Sequence, residues 1–358
     1  MAKVRLALVG CGQMGQGVHL PNLLGLEQCQ VLAVADVRAD VARQVAEHYR
    51  IPKVYHSHQE VAADPEIDAV AAITLWTETP RVAADLLRAG KHVFVEKPLA
   101  LSAAEAAVAA QAARESGRLL MVGYPLRFDA GVQHARELLT RLQASGELGR
   151  ILWAQAQLVG GGNWTADYFG HGPVIFNSAE PRPPQAPAPD FVPPHEAGKY
   201  SFFAQAYAHN LNLVRMLLGD GWQVAFADLS GPVSAVVLDN GSHQTTLHFG
   251  LNFPRPPYWD ESLLVTFERG WLRVQPPPRL LPNVSARVTL CRGNEDETVV
   301  SRGPFEWAFR RELQHFLAQV ESGAETLSPG ADAVADAALT EAIFMAHLRT
   351  AASREGDR

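Results

Sequence analysis

Cysteine is scarce in this chain, which has three cysteines, Cys11, Cys29 and Cys291, among 358 residues. Their spacing fits no metal-binding motif, and a sparse, odd number of cysteines is typical of a reducing compartment. We therefore expect no disulfide framework and no metal site. We expect Cys11 to act only as a small residue in a turn.

Long apolar runs and clusters of basic residues are also missing. No stretch approaches the roughly 20 apolar residues of a membrane span, and the N-terminus begins with a strand pattern instead of a signal peptide. The formal net charge is −7, whereas a nucleic-acid surface needs grouped Lys and Arg. These absences predict a cytoplasmic protein with neither a membrane nor a nucleic-acid partner. A length of 358 residues and an ordinary globular composition predict two domains.

The first motif present is a short apolar run, Val4 to Val9, followed by glycines at 10, 12 and 15. This pattern is typical of a buried strand that turns at Gly10, admits a pyrophosphate at Gly12 and packs the next helix closely at Gly15. The N-terminus of that helix favours an anion, because its N–H groups are free and its dipole end is positive.

The second apolar run is followed by a carboxylate, Asp36. It lies 21 residues after Gly15. At this position it would accept hydrogen bonds from the adenosine ribose and repel the 2′-phosphate of NADP. The alternative is a surface Asp that caps the next helix. Because Arg38 can pair with a phosphate, we expect NAD as the cofactor, with NADP possible.

Strand and helix patterns alternate through residue 123 and predict a dinucleotide-binding, Rossmann-type domain over residues 1–123, with a doubly wound parallel sheet. Its predicted later strands are Ala69–Ile73, His92–Glu96 and Leu119–Gly123, and its predicted helices are Ala39–His48, Thr79–Ala89 and Ser102–Ser116. Ligands bind where such strands end. Residues 74–76, 96–98 and 124–128 fall at that edge.

The pattern changes after Gly149 and predicts a C-terminal α+β domain over residues 124–358, with a large, open, mainly antiparallel sheet. Its predicted strands are Ile151–Val159, Trp222–Leu229, Pro232–Leu238, His243–Leu251, Glu261–Glu268, Gly270–Gln275 and Ala286–Cys291, and its predicted helices are Phe202–Leu218, Phe305–Ser322 and Ala331–Ala351. A Pro-rich insertion at 160–199 is either a functional lid or disordered. Its Trp164 can line a polar pocket or contact a neighbouring subunit.

Two positions are candidates for proton transfer. Lys97 follows a strand at the cofactor edge, where a lysine can exchange a proton with a substrate hydroxyl; the alternative is an ordinary lysine in solvent. His209 is a natural general base near neutral pH. In a continuous helix Gln205 would share its face. The alternative for His209 is a helix histidine bonded to a backbone carbonyl.

These motifs resemble the Gfo/Idh/MocA family of oxidoreductases over essentially the whole chain. The matching residues are Gly10-Cys11-Gly12-Gln13-Met14-Gly15, Asp36, the run from Gly90 to Pro98 that ends in Glu96-Lys97-Pro98, and Gly123-Tyr124 with Arg127-Phe128. The resemblance implies that Lys97 is catalytic and that the Lys97–Pro98 bond is cis. It also implies association into a homodimer or homotetramer through the C-terminal sheet, and NAD- or NADP-dependent chemistry on a sugar or cyclitol.

The chain departs from the family in two motifs. The family typically reads D-x-G-x-H-x-x-D where this chain keeps His209 but has Gln205 and Asn212 in place of the two carboxylates. An amide cannot take a proton, although it can orient a substrate hydroxyl. The usual T-P-N is replaced by Thr74-Leu75-Trp76. Trp76 can lie beside the nicotinamide or pack between domains.

The first functional hypothesis is an NAD(P)-dependent oxidoreductase that transfers a hydride between the nicotinamide and a hydroxyl or keto carbon of a sugar, sugar derivative or cyclitol. Two alternatives stay open, a non-redox sensor and an NAD-dependent glycosidase. The candidate catalytic residues are Lys97, His209 and Gln205; those for the cofactor are Gly10, Gly12, Gln13, Met14, Gly15, Asp36, Arg38, Thr74, Trp76, Glu96 and Lys97; those for the substrate are Tyr124, Arg127 and Trp164.

Overall fold

The computed structural model describes residues 3–161, 168–170, 172–179, 188–253, 258–293 and 297–356. The chain forms two compact units. Unit 1 comprises Met1–Tyr124, Asp167–Gln205 and Phe309–Ala338, and unit 2 comprises Pro125–Ala166, Ala206–Ala308 and Leu339–Arg358. The first segment of unit 1 ends one residue after the predicted border at residues 123–124, and unit 1 also includes two later segments.

Unit 1 contains a six-stranded parallel sheet with the strand order β3-β2-β1-β4-β5-β6. The strands are β1 Val4–Val9, β2 Cys29–Ala35, β3 Lys53–Tyr55, β4 Ala69–Ala72, β5 His92–Glu96 and β6 Leu120–Gly123. Side chains of the central strands are buried on both faces, as in β4, where all four residues are buried. Covered faces explain the continuous apolar runs, and the predicted doubly wound parallel sheet is confirmed.

Helices alternate with these strands in unit 1 and continue into unit 2. The glycine loop leads into a π-helical turn, Gly15–His19, which continues as α1 Leu20–Leu24. The other helices are α2 Ala39–Tyr49, α3 His58–Ala63, α4 Thr79–Arg88, α5 Ala103–Ser116, α6 Ala130–Ser145, α7 Ala197–Ala206, α8 Ala208–Leu218, α9 Ala308–Ser322 and α10 Gly330–Gly356.

Sequence patterns missed β3 and α3, because each is short. A three-residue strand offers no measurable period, although α3 has a capping box in which Ser57 accepts from Glu60 N and Glu60 accepts from Ser57 N. The helix α6, whose N-cap is Asp129, was also not predicted from the sequence.

The helix α9 and the segment after it belong to unit 1 except for the first residue of α9. Val122 N donates to Ser328 O at 3.0 Å, and the Ser328 hydroxyl donates to Val122 O at 2.7 Å. Phe316 of α9 lies 5.8 Å, ring to ring, from Phe94 of β5. A segment far along the chain therefore completes the core on the β5–β6 side of the sheet.

Unit 2 contains an eight-stranded mixed sheet with the order β14-β13-β12-β11-β7-β10-β9-β8. Only the β7–β10 pair among these ladders is parallel within the described residues. The strands are β7 Ile151–Gly161, β8 Gln223–Asp228, β9 Ser234–Asp239, β10 Gln244–Phe253, β11 Tyr258–Phe267, β12 Gly270–Gln275, β13 Arg287–Arg292 and β14 Glu297–Arg302. The predicted open, mainly antiparallel sheet is confirmed, and β14 is an addition to it.

The predicted helix Phe202–Leu218 is wrong as one continuous element. It is broken at Tyr207, which separates α7 from α8. The Tyr207 hydroxyl accepts from Leu251 N at 3.2 Å, and its ring stacks on Phe249 at 4.7 Å. These contacts anchor Tyr207 to β10, so the four-residue spacing from Gln205 to His209 does not define a common helical face.

In the part of the chain that the structure describes, no helix combines the length and the apolar character needed to span a lipid bilayer.

Candidate cofactor and catalytic site

The glycine loop follows β1 and has two closely packed glycines and one open one. Gly10 has φ +95°, and a Cβ there would lie 2.2 Å from the Ile73 carbonyl oxygen. A Cβ on Gly15 would lie 2.2 Å from the Gly10 carbonyl oxygen. A Cβ on Gly12 would meet no heavy atom within 4 Å. The turn therefore needs Gly10 and Gly15 for its own packing and leaves open space at Gly12, as a pyrophosphate site requires.

The helical segment after the loop begins at Gln13, which is exposed, and Met14, which is half-buried. Gln16 lies on its inner side. Its Nε2 donates to Cys11 O at 2.6 Å and to Phe176 O at 3.0 Å, and its Oε1 accepts from Phe176 N at 2.8 Å. The Tyr168 hydroxyl donates to Gly17 O at 3.4 Å. Part of the 160–199 insertion is thus ordered against the segment that follows the glycine loop.

Asp36 follows β2, and both oxygens of its carboxylate accept hydrogen bonds. Its Oδ1 accepts from Arg38 N and Arg38 Nε, both at 2.9 Å. Its Oδ2 accepts from Cys11 N at 2.8 Å and Arg38 Nη2 at 3.1 Å. The hydrogen bond to Asp36 raises the pKa of the Arg38 guanidinium. A ribose hydroxyl must therefore compete with Arg38 for this carboxylate.

The thiol of Cys11 is buried in the same turn, and its Sγ lies 3.8 Å from Ala35 O. Burial, followed by the negative charge of Asp36, raises the pKa of this thiol far above its ordinary value. Cys11 is therefore an inert thiol, consistent with its expected role as a small residue in the turn.

The residues after β4 form another part of the strand edge. Thr74 Oγ1 lies 2.9 Å from Thr79 Oγ1, at the start of α4. Trp76 is half-buried, and its buried indole Nε1 has no hydrogen-bond partner among the described residues. A buried donor without a partner is costly. Trp76 is therefore well suited to donate a hydrogen bond to a bound molecule.

Glu96 and Lys97 follow β5, and the Lys97–Pro98 peptide bond is cis. The Glu96 carboxylate does not point into solvent: its Oε1 lies 2.7 Å from His19 Nε2, and its Oε2 accepts from Lys97 N at 3.1 Å. The half-buried Lys97 donates from Nζ to Gln205 O at 2.9 Å. Lys97 is thus held at the C-terminal edge of the sheet by groups of unit 1.

Gln205 contacts Lys97 through its backbone and not through its amide side chain. The side-chain Nε2 donates to Ser201 O and Ser201 Oγ, both at 2.9 Å. The described contacts therefore do not place the Gln205 amide as a direct partner of Lys97.

In unit 2, His209 lies in the first turn of α8 and is 6% exposed. Next to it, Asn210 Nδ2 donates to Glu261 Oε1 at 2.8 Å, and Arg279 Nη2 donates to the same oxygen at 2.5 Å. Burial raises the pKa of Glu261 to about 7, and Arg279 opposes this shift. This buried network fixes the first turn of α8, which carries His209.

The proposed substrate residues differ in their surroundings. Arg127 is 8% exposed, and its Nε donates to Asn212 Oδ1 at 2.7 Å within unit 2. The amide at 212 thus serves as an acceptor for a buried guanidinium. Tyr124 is buried at the end of the first segment of unit 1. Trp164 lies outside the described residues.

Sequence reasoning missed the polar residues that support this site. Glu261 had a detectable signal, because it occupies the buried side of an alternating strand where apolar residues are expected. Gln16 and Glu312 gave none, because the Phe176 backbone that Gln16 contacts lies 160 residues away and the His19 and Glu96 side chains near Glu312 come from other elements of unit 1.

Comparison with known proteins agrees with this geometry. The family model described as an oxidoreductase family with an NAD-binding Rossmann fold matches residues 4–124. Residues 4–124 are therefore similar to the Rossmann domain of the Gfo/Idh/MocA oxidoreductase family.

The chain is similar to several named proteins. It is 24% identical to the myo-inositol 2-dehydrogenase of Thermotoga maritima over 63% of this chain and 58% of that protein. It is 24% identical to the inositol 2-dehydrogenase of Rhizobium meliloti over 95% of both. A 3-ketoreductase from Actinomadura kijaniata, solved with NADP and TDP-benzene, has a TM-score of 0.72 at 19% identity, covering 96% of this chain and 98% of that one. The match to the Thermotoga protein thus spans little more than half of its length.

Proposed function

We propose that this protein is an NAD(P)-dependent oxidoreductase that acts on the CH–OH group of a cyclitol, sugar or sugar derivative. The observation that carries the proposal is the Glu96-Lys97-Pro98 turn, with Lys97 held by Gln205 O at 2.9 Å. This turn follows β5 on the same edge as the open Gly12, and only β4 separates β5 from β1. Ligands of such sheets bind along this edge.

The residues present fit a dinucleotide. The open space at Gly12 would receive the pyrophosphate, and Asp36 and Arg38 would meet the adenosine ribose. When bound, the nicotinamide supplies the hydride chemistry. We infer a preference for NAD, because Asp36 favours ribose hydroxyls, with NADP accepted when Arg38 turns to a 2′-phosphate.

Lys97 would move the substrate proton. In oxidation, its neutral Nζ accepts the hydroxyl proton as the C–H bond gives up its hydride; in reduction, its ammonium returns the proton to the alkoxide. The Gln205 carbonyl orients Nζ without competing as a base. We assign His209 as the second proton-handling group, and Tyr124, Arg127 and Trp164 as residues of substrate recognition.

The relatives that are inositol dehydrogenases support cyclitols as the first substrates to test. The experiment is a screen of inositols, sugars and sugar acids that follows the absorbance of the reduced nicotinamide with NAD⁺ and with NADP⁺. The expected result is turnover of at least one polyol with NAD⁺. Tight NAD⁺ binding without turnover of any compound would contradict the proposal.

A second candidate is a non-redox NAD(P)-binding sensor. The observation that favours it is the pair of amides at Gln205 and Asn212, which are bonded to Ser201 and Arg127 and cannot act as bases. An NAD-dependent glycosidase is the remaining alternative, and hydrolysis of a chromogenic glycoside would identify it.

We also propose that the chain forms a homodimer or homotetramer through the outer face of the unit 2 sheet. Half-buried apolar side chains lie on this face, among them Trp153 of β7, Leu264 of β11 and Trp271 of β12. Large apolar side chains that are only partly buried, grouped on one face among polar residues such as Gln155 and Arg273, favour an association surface.

A further inference from the structure

A buried polar cluster lies behind the Glu96-Lys97-Pro98 turn in unit 1. It consists of His19, Glu96 of β5 and Glu312 of α9, and one side-chain nitrogen or oxygen atom from each lies within 4.8 Å of the others. His19 and Glu312 have no exposed surface, and the side chain of Glu96 is 12% exposed. Two carboxyl groups and an imidazole thus share a small interior space.

The surroundings of the cluster are apolar. The His19 ring lies 5.4 Å from the Phe94 ring and 5.8 Å from the Phe309 ring, and Phe94 packs on Phe316. In such a low-dielectric region two neighbouring carboxylates cannot both ionise, because their repulsion adds to the cost of losing water.

The hydrogen bonds favour Glu96 over Glu312 as the carboxyl group that keeps the negative charge. Glu96 is bonded through one oxygen to His19 Nε2 and through the other to Lys97 N. Neither oxygen of Glu312 has a hydrogen-bond partner among the described residues. Glu96 is therefore the stabilised carboxylate, and Glu312 is the group that holds a proton. Burial, and next the charge of Glu96, raise the pKa of Glu312 well above its ordinary value.

We propose that Glu312 is a positioning residue: as a neutral acid it lets Glu96 stay ionised between His19 and the N–H of Lys97, and so holds the turn that presents Lys97. An ionised Glu312 would repel the Glu96 carboxylate, and loss of the side chain would leave a cavity beside it. Among the described residues, the titratable groups found beside Glu312 are Glu96 and His19. The effect on catalysis rests on the proposed function, whereas the proton on Glu312 does not.

The first experiment measures the proton without using activity. Unfolding free energy is determined from pH 5.5 to 8.5 for the wild type, Glu312→Gln and the control Glu321→Gln, which changes an exposed carboxylate near the end of the same helix. The folded wild type holds a proton on Glu312 that the unfolded chain releases, so the contribution of Glu312 to stability falls as pH rises. The slope of unfolding free energy against pH should be more positive in Glu312→Gln than in the wild type, by the equivalent of about one proton per molecule, and the slope in Glu321→Gln should match the wild type.

The second experiment measures the effect on Lys97. On a substrate found in the screen, Glu312→Ala should lower kcat at least tenfold while the Kd for NAD⁺ changes less than threefold. Glu312→Gln, which keeps a neutral donor, should restore most of the lost kcat. Restoration by Gln distinguishes a neutral acid from a required carboxylate.

Three results would overturn the proposal. They are equal pH slopes for the wild type and Glu312→Gln, equal losses of kcat for Gln and Ala, or stoichiometric metal in the purified wild type that is lost in Glu312→Gln. A wild type that turns over no substrate but shows the slope difference would overturn the redox function and support the proton on Glu312. If Glu312→Ala does not fold, the pH slopes of the wild type and Glu312→Gln still test the proposal.

Discussion

At the scale of the residue, Asp36 and Arg38 show that the carboxylate of a cofactor-binding motif can already be hydrogen-bonded within the protein. The sequence predicts a carboxylate for the ribose. In the structure this carboxylate already accepts four hydrogen bonds, three of them from Arg38. We therefore expect the choice between NAD and NADP to depend on the position of the Arg38 side chain.

Arg38→Ala should strengthen NAD preference. Removing the guanidinium frees Asp36 for the ribose hydroxyls and removes the phosphate partner, so NADP affinity should fall by about tenfold, the ~1–2 kcal/mol of one charge-assisted hydrogen bond. Titration of cofactor fluorescence measures both affinities, with Arg43→Ala, an exposed residue of α2, as the control. Unchanged NADP affinity would mean that Arg38 does not contact the 2′-phosphate.

Lys97→Met should lower kcat by about 10²–10⁴-fold, the usual contribution of a general acid–base group. Cofactor affinity should stay near the wild-type value, because the glycine loop and Asp36 hold the dinucleotide. The control is Lys3→Ala, which is exposed. A Lys97→Met variant within about threefold of the wild type would remove Lys97 from the mechanism, since this factor is only about 0.7 kcal/mol.

Gln205→Asp tests whether this position influences Lys97. A carboxylate near an ammonium favours the charged form, so the pH at which oxidation reaches half of its maximal rate should move upward. Gln205→Ala should lower kcat/KM only by the ~1–3 kcal/mol of a lost hydrogen bond, because the contact at 2.9 Å uses the backbone carbonyl. Full pH–rate profiles give both results. Identical profiles for Gln205→Asp and the wild type would show that Lys97 is insensitive to this side chain.

At the scale of the element, the glycines of the strand-turn-helix unit from β1 to α1 differ in role. Two are needed for packing, and one is proposed to admit the cofactor. Gly10 and Gly15 are tightly packed, since a Cβ on either would lie 2.2 Å from a backbone oxygen. Gly12 is open. We therefore expect substitutions at Gly10 or Gly15 to lower stability and a substitution at Gly12 to weaken cofactor binding.

Gly15→Ala should lower the melting temperature, because the Cβ forces the helical segment away from the turn; overpacking of this kind costs about 1–3 kcal/mol. Gly12→Ala should leave the melting temperature nearly unchanged and weaken NAD⁺ binding, because its methyl group occupies the pyrophosphate space. Thermal unfolding without cofactor and a binding titration separate the two. Equal NAD⁺ affinity for Gly12→Ala and the wild type would place the pyrophosphate elsewhere.

At the scale of the whole molecule, we predict that subunits associate through the outer face of the eight-stranded sheet. Leu264→Glu places a charge on central strand β11 and should shift a dimer or tetramer to smaller species, as measured by light scattering after size-exclusion chromatography. Val108→Glu, at an exposed site on α5, is the matched control. A wild type that is monomeric at micromolar concentration would contradict this surface assignment.

The sequence by itself determined the parallel sheet, the glycine turn, Asp36, and the position of Lys97 after β5, because each depends on local periodicity or on a motif with a fixed spacing. It also determined most strands of the second sheet. Short elements such as β3, and helix α6, were missed.

Only the tertiary structure decided the contacts between residues distant in the chain. Tyr207 breaks a helix because it packs on β10. Cys11 N donates to Asp36 because β1 and β2 are neighbours, and Glu312 lies beside Glu96 although 216 residues separate them. A local pattern records which face of an element is apolar, but it does not record which polar group another element brings to that face. When polar groups from distant elements are buried together without water, they form hydrogen-bonded pairs, hold protons that exposed groups would lose, or stay without a hydrogen-bond partner.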